Sequence, residues 1–534
     1  MTNSEIADNL KLTANLLELL DDNPFKIKSL LNASFKIDKM EVDLETLAQP
    51  ELEKLEGIGK STALKINELN QTGTTTELQE LLNKVPKGVV QMMAVKGIGP
   101  KKVAMLWKRL EVESPGELLY ACNENRLVEL KGFGEKTQAA IKKSIEYSLS
   151  NEGKYLFAEV EDAAESVLQH LRQKYPDELF SFTGAYQRRC EIIESLEILT
   201  TKKDIDLSTV QANLPVRLEI YTCDKAQFAT DLFNASASDE FLNAFKAQFT
   251  LPENASSESE IFEHAQLPYI MPALRESAAV ISMAQNGNIN NIIEHQDITG
   301  IFHVHTKYSD GGSTIKDMAL AMQAKGMHYI GITDHSRSAF YANGLSVERL
   351  VQQHQEIDEL NSKMAPFKIF KGIESDILYD GNLDYEIDVL KQFDFVIASV
   401  HSVLKMDIDK ATTRLIKAIE NPYTTMLGHM TGRLLLSREG YPLHTQKIID
   451  ACASNKVIIE LNANPYRLDI DWRLINACME QDVMISINPD AHSIAGLDDT
   501  KYGVYAAQKG LLTKQACFNA QSLDFIEGYF GSRK

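Results

Sequence analysis

Between residues 300 and 488 the chain repeats one pattern: an apolar, strand-like run, a residue type that binds metals, then a helix-patterned segment. The runs cover 300–306, 329–335, 368–376, 394–400, 424–429, 457–463 and 483–488, about seven βα units. At or just past their ends stand His303, His305, His335, Glu374, His401, His429, Asp490 and His492, with Asp310 in a glycine-bearing loop after the first run. A βα barrel places side chains this way, because its strand C-termini converge on one face. In His303-Val304-His305, strand alternation predicts both imidazoles on one side. One such pair is often only a polar strand face, and several of these histidines could be satisfied core residues. The recurrence from strand to strand favours a metal centre. Mixed nitrogen and oxygen ligands suit Zn²⁺, Mn²⁺ or Fe²⁺ better than Ca²⁺ or Mg²⁺. Nine such residues exceed the needs of one ion and suit two or three.

The chain has 534 residues, enough for several domains with sizeable cores. No apolar run approaches the roughly 18 residues of a membrane span, and the polar start MTNSEIADNL does not read as a signal peptide. Six cysteines without a CxxC pair read as reduced thiols of a cytosolic protein. A net charge of −20 argues against a nucleic-acid binder. That charge is uneven, however: −2 over residues 1–150, −12 over 151–295 and −6 over the remainder.

The nearly neutral first part is helical in pattern and carries three short repeats, LEGIGKSTALKI (55–66), VKGIGPKKVAML (95–106) and LKGFGEKTQAAI (130–141). Each is an apolar residue, Gly-x-Gly, a basic residue or two, and a helix. Gly57 and Gly59, Gly97 and Gly99, and Gly132 and Gly134 permit tight hairpins whose backbone N–H groups can meet a phosphate. Lys60, Lys101, Lys102 and Lys136 supply local positive charge. A single Gly-x-Gly would mark no more than a helical turn; three copies, each with lysine one or two residues after the second glycine, point to DNA. The repeats resemble helix-hairpin-helix motifs, which hold the DNA backbone without reading sequence.

Residues 297–534 resemble a PHP (polymerase and histidinol phosphatase) domain through HVHTKYSDG, ITDHS, GIESDIL, ASVHS, GHMTGR and PDAH. The resemblance implies a distorted (βα)₇ barrel and a trinuclear cluster. By it, His303, His305, Glu374 and Asp490 would hold one metal. Glu374 would bridge to a second with His401 and His429, and Asp310, His335 and His492 would hold a third. Arg433, four residues past a ligand, could contact the scissile phosphate or make a structural salt bridge. Asp334, Asn462 and Asn464 could orient imidazoles from behind.

The order of these parts is similar to a bacterial family X DNA polymerase with a carboxy-terminal PHP domain. Lys65 falls where that family's lyase domain carries its Schiff-base lysine, although Leu30 replaces a nearby family tyrosine. TGAYQRRCEIIESLEIL (183–199), LPVRLEIYTC (214–223) and LPYIMPALRE (267–276) resemble the polymerase palm and thumb. There the departures are decisive. Two-metal nucleotidyl transfer requires carboxylates, whereas the Asp-x-Asp position reads Ser195-Leu196-Glu197 and the third aspartate is Arg217. Ala185 replaces the triphosphate-binding serine, and Ser236-Ala237-Ser238 stands for Thr-Gly-Ser, although Arg188 survives.

The expected protein is multidomain. An all-α helix-hairpin-helix region (1–85, lyase-like; 86–150, fingers-like) precedes a degenerate α+β nucleotidyltransferase-like palm and thumb (151–295) and the PHP barrel (296–534). What the resemblance implies is a DNA-repair enzyme acting as a 3′→5′ exonuclease or 3′-end phosphodiesterase through two or three Mn²⁺ or Zn²⁺ ions, with Fe²⁺ an option. Polymerase activity is expected to be absent. Expected partners are gapped or primer–template DNA, bound irrespective of sequence, with no membrane. The expected setting is a monomer in the bacterial cytoplasm at the nucleoid. A phosphatase of small phosphomonoesters is the alternative enzyme, and a non-catalytic repair scaffold is the alternative of another class.

Overall fold

A computed structural model describes residues 1–40, 42–124, 126–128, 130, 132–205 and 214–533. It divides into two compact units, Met1–Glu152 and Gly153–Lys534.

The first unit is helical. Its opening helix, Asn3–Leu19, starts with a capping box between Thr2 and Glu5 and buries Ile6, Leu10 and Leu17. The three glycine repeats fold alike. Gly57, Gly97 and Gly132 have φ of 91°, 95° and 93°, which L-residues rarely adopt and which the third position of a type II turn requires. The turns close through Ile58 N–H to Leu55 O (3.1 Å), Ile98 N–H to Val95 O (3.3 Å) and Phe133 N–H to Leu130 O (3.0 Å). Ile58, Ile98 and Phe133 are buried and anchor each hairpin in the helical core. Gly59, Gly99 and Gly134 then open the helices Lys60–Thr72, Pro100–Leu110 and Glu135–Ser150, with no side chain capping their first amides.

The second unit begins with a small α/β layer. Strands β1 (Tyr155–Leu156) and β3 (Ile192–Ile193) pair antiparallel. β2 (Phe180–Phe182), β4 (Ser195–Thr200) and β5 (Arg217–Thr222) form a second sheet, in which β4 and β5 run parallel. Helices Phe228–Ala235, Asp239–Gln248 and Glu258–His264 follow around Phe233, Phe241, Phe245 and Phe262. Arg275 is fully buried among these rings; its charge is met by Glu258 at 2.5 Å and by the faces of Phe233, Phe262 and Tyr269.

The barrel follows. β6 (Gly300–Ile301), β7 (Tyr329–Ile332), β8 (Lys368–Asp376), β9 (Phe395–Ser399), β10 (Met426–Leu427), β11 (Ile458–Asn462) and β12 (Ile485–Asn488) form one parallel sheet in sequence order. Reciprocal bonds between the segments that follow β6 and β12, His305 N–H to Ala491 O (2.9 Å) and Ala491 N–H to His303 O (3.2 Å), nearly close it. Phe302, Tyr329, Phe370, Phe395, Phe518 and Phe530 form a buried aromatic cluster within this fold. A Cβ on Gly331 or Gly372 would strike the Phe395 ring at 2.6 or 2.4 Å, so glycine at both positions makes room for it.

All seven expected strands are present, but the first is shorter than its apolar run. His303 has φ of 58°, which takes it out of the ladder, so its imidazole meets that of His305 through a bend rather than through strand alternation. The ring centroids are 5.3 Å apart.

The α/β layer is fastened to the barrel. Glu161 accepts bonds from Lys501 (2.7 Å) and Tyr502 (2.9 Å), and Arg189 lies over the Tyr505 ring at 4.1 Å. Trp472 Nε1–H donates to Glu191 at 3.3 Å. No helix among the described residues is long and apolar enough to cross a membrane, and the six cysteines are free thiols.

Candidate metal centre

The nine metal-type residues of the barrel converge at the strand C-termini. Their donor atoms fall into four overlapping groups, each within 4.8 Å: His305, Asp310, His335 and His492; His303, His305 and Asp490; His303, Glu374 and His429; His335, Glu374 and His401. The expected third set therefore appears whole, joined by His305. The expected second set is divided, because Glu374 shares one group with His429 and another with His401. Glu374 projects from near the C-terminal end of β8 and joins two of the groups. Its Oε1 lies 2.9 Å from His429, 3.1 Å from His401 and 3.2 Å from His303, and its Oε2 lies 2.9 Å from His335.

These separations suit ligands sharing an ion. Two atoms each about 2.1 Å from a tetrahedral metal stand about 3.4 Å apart. His303 Nε2 is 3.4 Å from Asp490 Oδ1, His305 Nε2 3.1 Å from the same oxygen, and His492 Nε2 3.4 Å from Asp310. His303 Nε2, both ring nitrogens of His305 and Glu374 Oε2 are buried yet make no well-aligned hydrogen bond within the protein. Buried donor atoms of that kind are costly unless something else engages them. The donor set fits a cluster of divalent transition metals.

Three other ring nitrogens are held from behind. His303 Nδ1 bonds to Glu460 at 2.6 Å, His401 Nδ1 to Asp376, and His492 Nδ1–H to the Asp490 carbonyl at 2.9 Å. Each of these contacts turns Nε2 toward the cluster. Glu460, on β11, also accepts from His429 N–H (2.8 Å) and Asn488 (3.0 Å).

Without cations the charges are balanced by protons. Burial opposes protonation of His401, but Glu374 and Asp376 raise it to about 10; Asp310 and Asp490 likewise raise His492 to about 9 against its burial. Burial and the neighbouring His492 and His335 push His305 down to about 3. Burial and then Arg467 lower His429. Despite burial, His401, His303 and His335 hold Glu374 well below the usual carboxylate range. Divalent ions would displace the imidazolium protons and meet the same carboxylates.

Several expected roles fall elsewhere. Arg433 makes the structural salt bridge: Nη1 donates to Asp471 (2.8 Å), Nε to Arg467 O (2.9 Å) and Nη2 to Leu468 O. Three of its five N–H donors are thus engaged within the fold, which favours the structural salt bridge over a phosphate contact. Lys65 is ion-paired with Glu77, which also takes Lys26, so its amine is engaged rather than presented as a nucleophile. Asp334 binds Thr306, Ser309 and Gln353, fixing the loop between His305 and Asp310 instead of an imidazole. Asn462 reaches Asp490 at 3.1 Å, whereas Asn464 closes a turn onto Tyr466. Glu460, Asp376 and Arg467 escaped the sequence reading. The available signal was a carboxylate inside an otherwise apolar strand, and for Asp376 the two-residue spacing from Glu374.

In the first unit Lys60, Lys101 and Lys136 are exposed beside the hairpins. Lys102 turns back toward Gly97 O and lies over the Phe133 ring at 5.4 Å. In the α/β layer, Ser195 and Arg217 face each other across β4 and β5, and Arg217 pairs with Glu219 at 2.5 Å. The Glu197 carboxylate occupies the space above Gly184, where an added Cβ would meet it at 2.5 Å. Among the described residues, no metal-type group of three lies in this layer.

Comparison with known proteins agrees with this architecture. Residues 1–75 match a helix-hairpin-helix domain, 90–146 a SAM-like helix-hairpin-helix tandem, and 302–464 the PHP domain. The chain is 32% identical to the DNA polymerase/3′-5′ exonuclease PolX of Bacillus subtilis (strain 168), over 99% of both chains. Over 36% of its length it is 29% identical to a probable phosphatase of Caldicellulosiruptor bescii and 30% identical to one of Thermoanaerobacter sp. (strain X514), covering 78% and 77% of those proteins.

Proposed function

This chain belongs to the PolX family of bacterial family X DNA polymerases with a PHP domain, and from that membership we propose that it is a metal-dependent 3′→5′ exonuclease or 3′-end phosphodiesterase of DNA repair. The observation that carries the reading is the buried constellation around Glu374, whose two oxygens reach four imidazoles. When bound, the metals would supply activated water and offset charge on the phosphoester. The protein's part is to hold the ligands in one protonation state and orientation. Glu460 and Asp376 fix the tautomers of His303 and His401, and Asp334 ties down the loop bearing Asp310.

The three hairpins support a DNA substrate gripped through its backbone, gapped or primer–template in form. The α/β layer serves as a structural bridge and not as a polymerase: Ser195 and Arg217 supply no carboxylate, and Glu197 covers Gly184 against an incoming phosphate. Free cysteines and a DNA substrate support a cytoplasmic setting at the nucleoid. We assign the metal as Mn²⁺ or Zn²⁺ from the mixed donor set.

The test is a 5′-labelled primer–template incubated with Mn²⁺ and either the natural protein or the His303→Ala/His305→Ala variant. Products shortened from the 3′ end by the first and not the second are expected. The probable phosphatases favour one competing reading. Intact DNA together with hydrolysis of p-nitrophenyl phosphate would replace the exonuclease with a phosphomonoesterase.

A second measurement bears on the grip. Replacing Lys60, Lys101 and Lys136 with alanine should flatten the salt dependence of DNA binding, lowering the log–log slope by about two to three. An unchanged slope would place the phosphate contacts on other residues.

A further inference from the structure

We propose that Arg467 grips the substrate phosphate at the barrel's metal centre, and that Arg433 is its positioning residue. The inference rests on the phosphoesterase reading above and names the contact that reading lacks.

Arg467 stands on the turn after β11, where its N–H bonds to Asn464 O at 2.8 Å. Its side chain is 19% exposed, and the recorded partner of its guanidinium among the described residues is Asp490, at 3.4 Å. Other arginines of the barrel are tied to backbone carbonyls. Arg414 bonds to the carbonyls of Leu378 (2.9 Å), Ser402 (3.0 Å) and Ile377, and Arg438 holds Gly432 O at 2.9 and 2.6 Å. A guanidinium carries five N–H donors in a planar fork, and most of this one's remain available at the edge of the cluster.

The location sharpens the point. Asp490 also faces His303 and His305, so its charge belongs to the donor set of the metal centre. Once cations draw on that carboxylate, Arg467 faces like charge at close range. The arrangement is favourable when an anion shares the space. A phosphoryl group meets both demands, with a pair of oxygens toward the fork and the others toward the cluster.

The fold holds the fork in place. Arg433 bonds to the carbonyls of Arg467 (2.9 Å) and Leu468 and to Asp471 (2.8 Å). Asp469, on the same segment, accepts from Thr431 N–H (3.0 Å) and Thr431 Oγ1 (2.9 Å). The Arg467 segment is thereby stitched to the loop that carries His429, and clamp and ligand keep one spacing.

The full-length protein with Mn²⁺ provides the test, comparing the natural chain with Arg467→Ala, Arg467→Lys, Arg433→Gln and the Arg433→Gln/Arg467→Ala double variant. Manganese content, the thermal midpoint, calorimetric binding of inorganic phosphate, and kcat and KM on bis-p-nitrophenyl phosphate are read for each. Arg467→Ala should keep its manganese, bind phosphate about tenfold or more weakly and lose about a hundredfold in kcat/KM. Arg467→Lys should recover part of both, because it restores charge without the fork. Arg433→Gln should fall between, and the double variant should be no worse than Arg467→Ala, since Arg433 acts through Arg467. Natural phosphate affinity and turnover in Arg467→Ala, or additive losses in the double variant, overturn the assignment. Should Arg467→Ala lose manganese or unfold, Arg467→Lys decides: weaker phosphate binding with full manganese supports the clamp, and unchanged binding overturns it. If the natural protein cleaves no phosphoester, the parent reading fails, while the phosphate titration still tests Arg467.

Discussion

Glu374→Ala is expected to lower phosphodiesterase activity on the order of 10³-fold and to blunt the protein's response to chelators. Glu374 is the carboxylate common to two of the four donor groups, and both of its oxygens are used. Its removal leaves His401 Nε2 without the carboxylate oxygen 3.1 Å away. It also leaves His429 without the oxygen at 2.9 Å. Bound metal stabilises the folded state by about 2.7 kcal/mol when present at a hundred times its dissociation constant. EDTA should therefore lower the thermal midpoint of the natural protein and lower that of Glu374→Ala less, since two donor groups lack Glu374. Metal analysis of the purified variant gives an independent reading. A variant that retains its full complement of metal, with a midpoint as sensitive to EDTA as that of the natural protein, would refute the bridging role.

How legible this centre was in the sequence depended on where each residue stood. His335, His401 and His429 were recoverable because each ends an apolar run, and strand ends of a βα barrel converge. The three Gly-x-Gly hairpins were recoverable because the left-handed glycine and its apolar successor recur at fixed spacing, and the turns share one geometry. The bend at His303 was hidden: an apolar run followed by HVH reads as continuous strand, and only the closure onto Ala491 takes it out of the ladder. Arg433 was visible as an arginine four residues past a ligand, whereas Arg467 stands far from any ligand along the chain. Nothing local distinguishes a guanidinium spent on carbonyls from one left open, because the carbonyls of residues 467 and 468 arrive from a different strand end. The same limit applied to Lys65, whose partner Glu77 comes from the next helix. Supporting residues are set by tertiary contacts, and ligand residues by position along a strand.

Glu460 provides the second large effect, because it carries a burden that its place in an apolar strand conceals. It is fully buried on β11, and its two oxygens take His303 Nδ1–H at 2.6 Å, His429 N–H at 2.8 Å and Asn488 Nδ2–H at 3.0 Å. Two different ligands are thus held by one carboxylate, one through its ring and one through its backbone. Glu460→Gln keeps the shape and one acceptor oxygen but presents an NH₂ group to a donor, so one of these bonds must fail. A loss of about 10–100-fold in metal affinity is expected, the usual effect of removing a group that orients a metal ligand. Glu460→Leu suits the apolar strand yet leaves three buried donors without acceptors. Each costs about 1–3 kcal/mol, so this variant should lose both metal affinity and stability to urea. Chelator competition and urea unfolding separate the two effects, with the natural protein ahead of glutamine and glutamine ahead of leucine in both. Metal affinity equal to that of the natural protein in the leucine variant would mean that His303 and His429 hold their orientations without Glu460. The tautomer argument made for His303 would then fall with it. The ordering itself discriminates: a carboxylate needed only for its charge would make glutamine and leucine equally poor, whereas one needed for its hydrogen bonds places glutamine between.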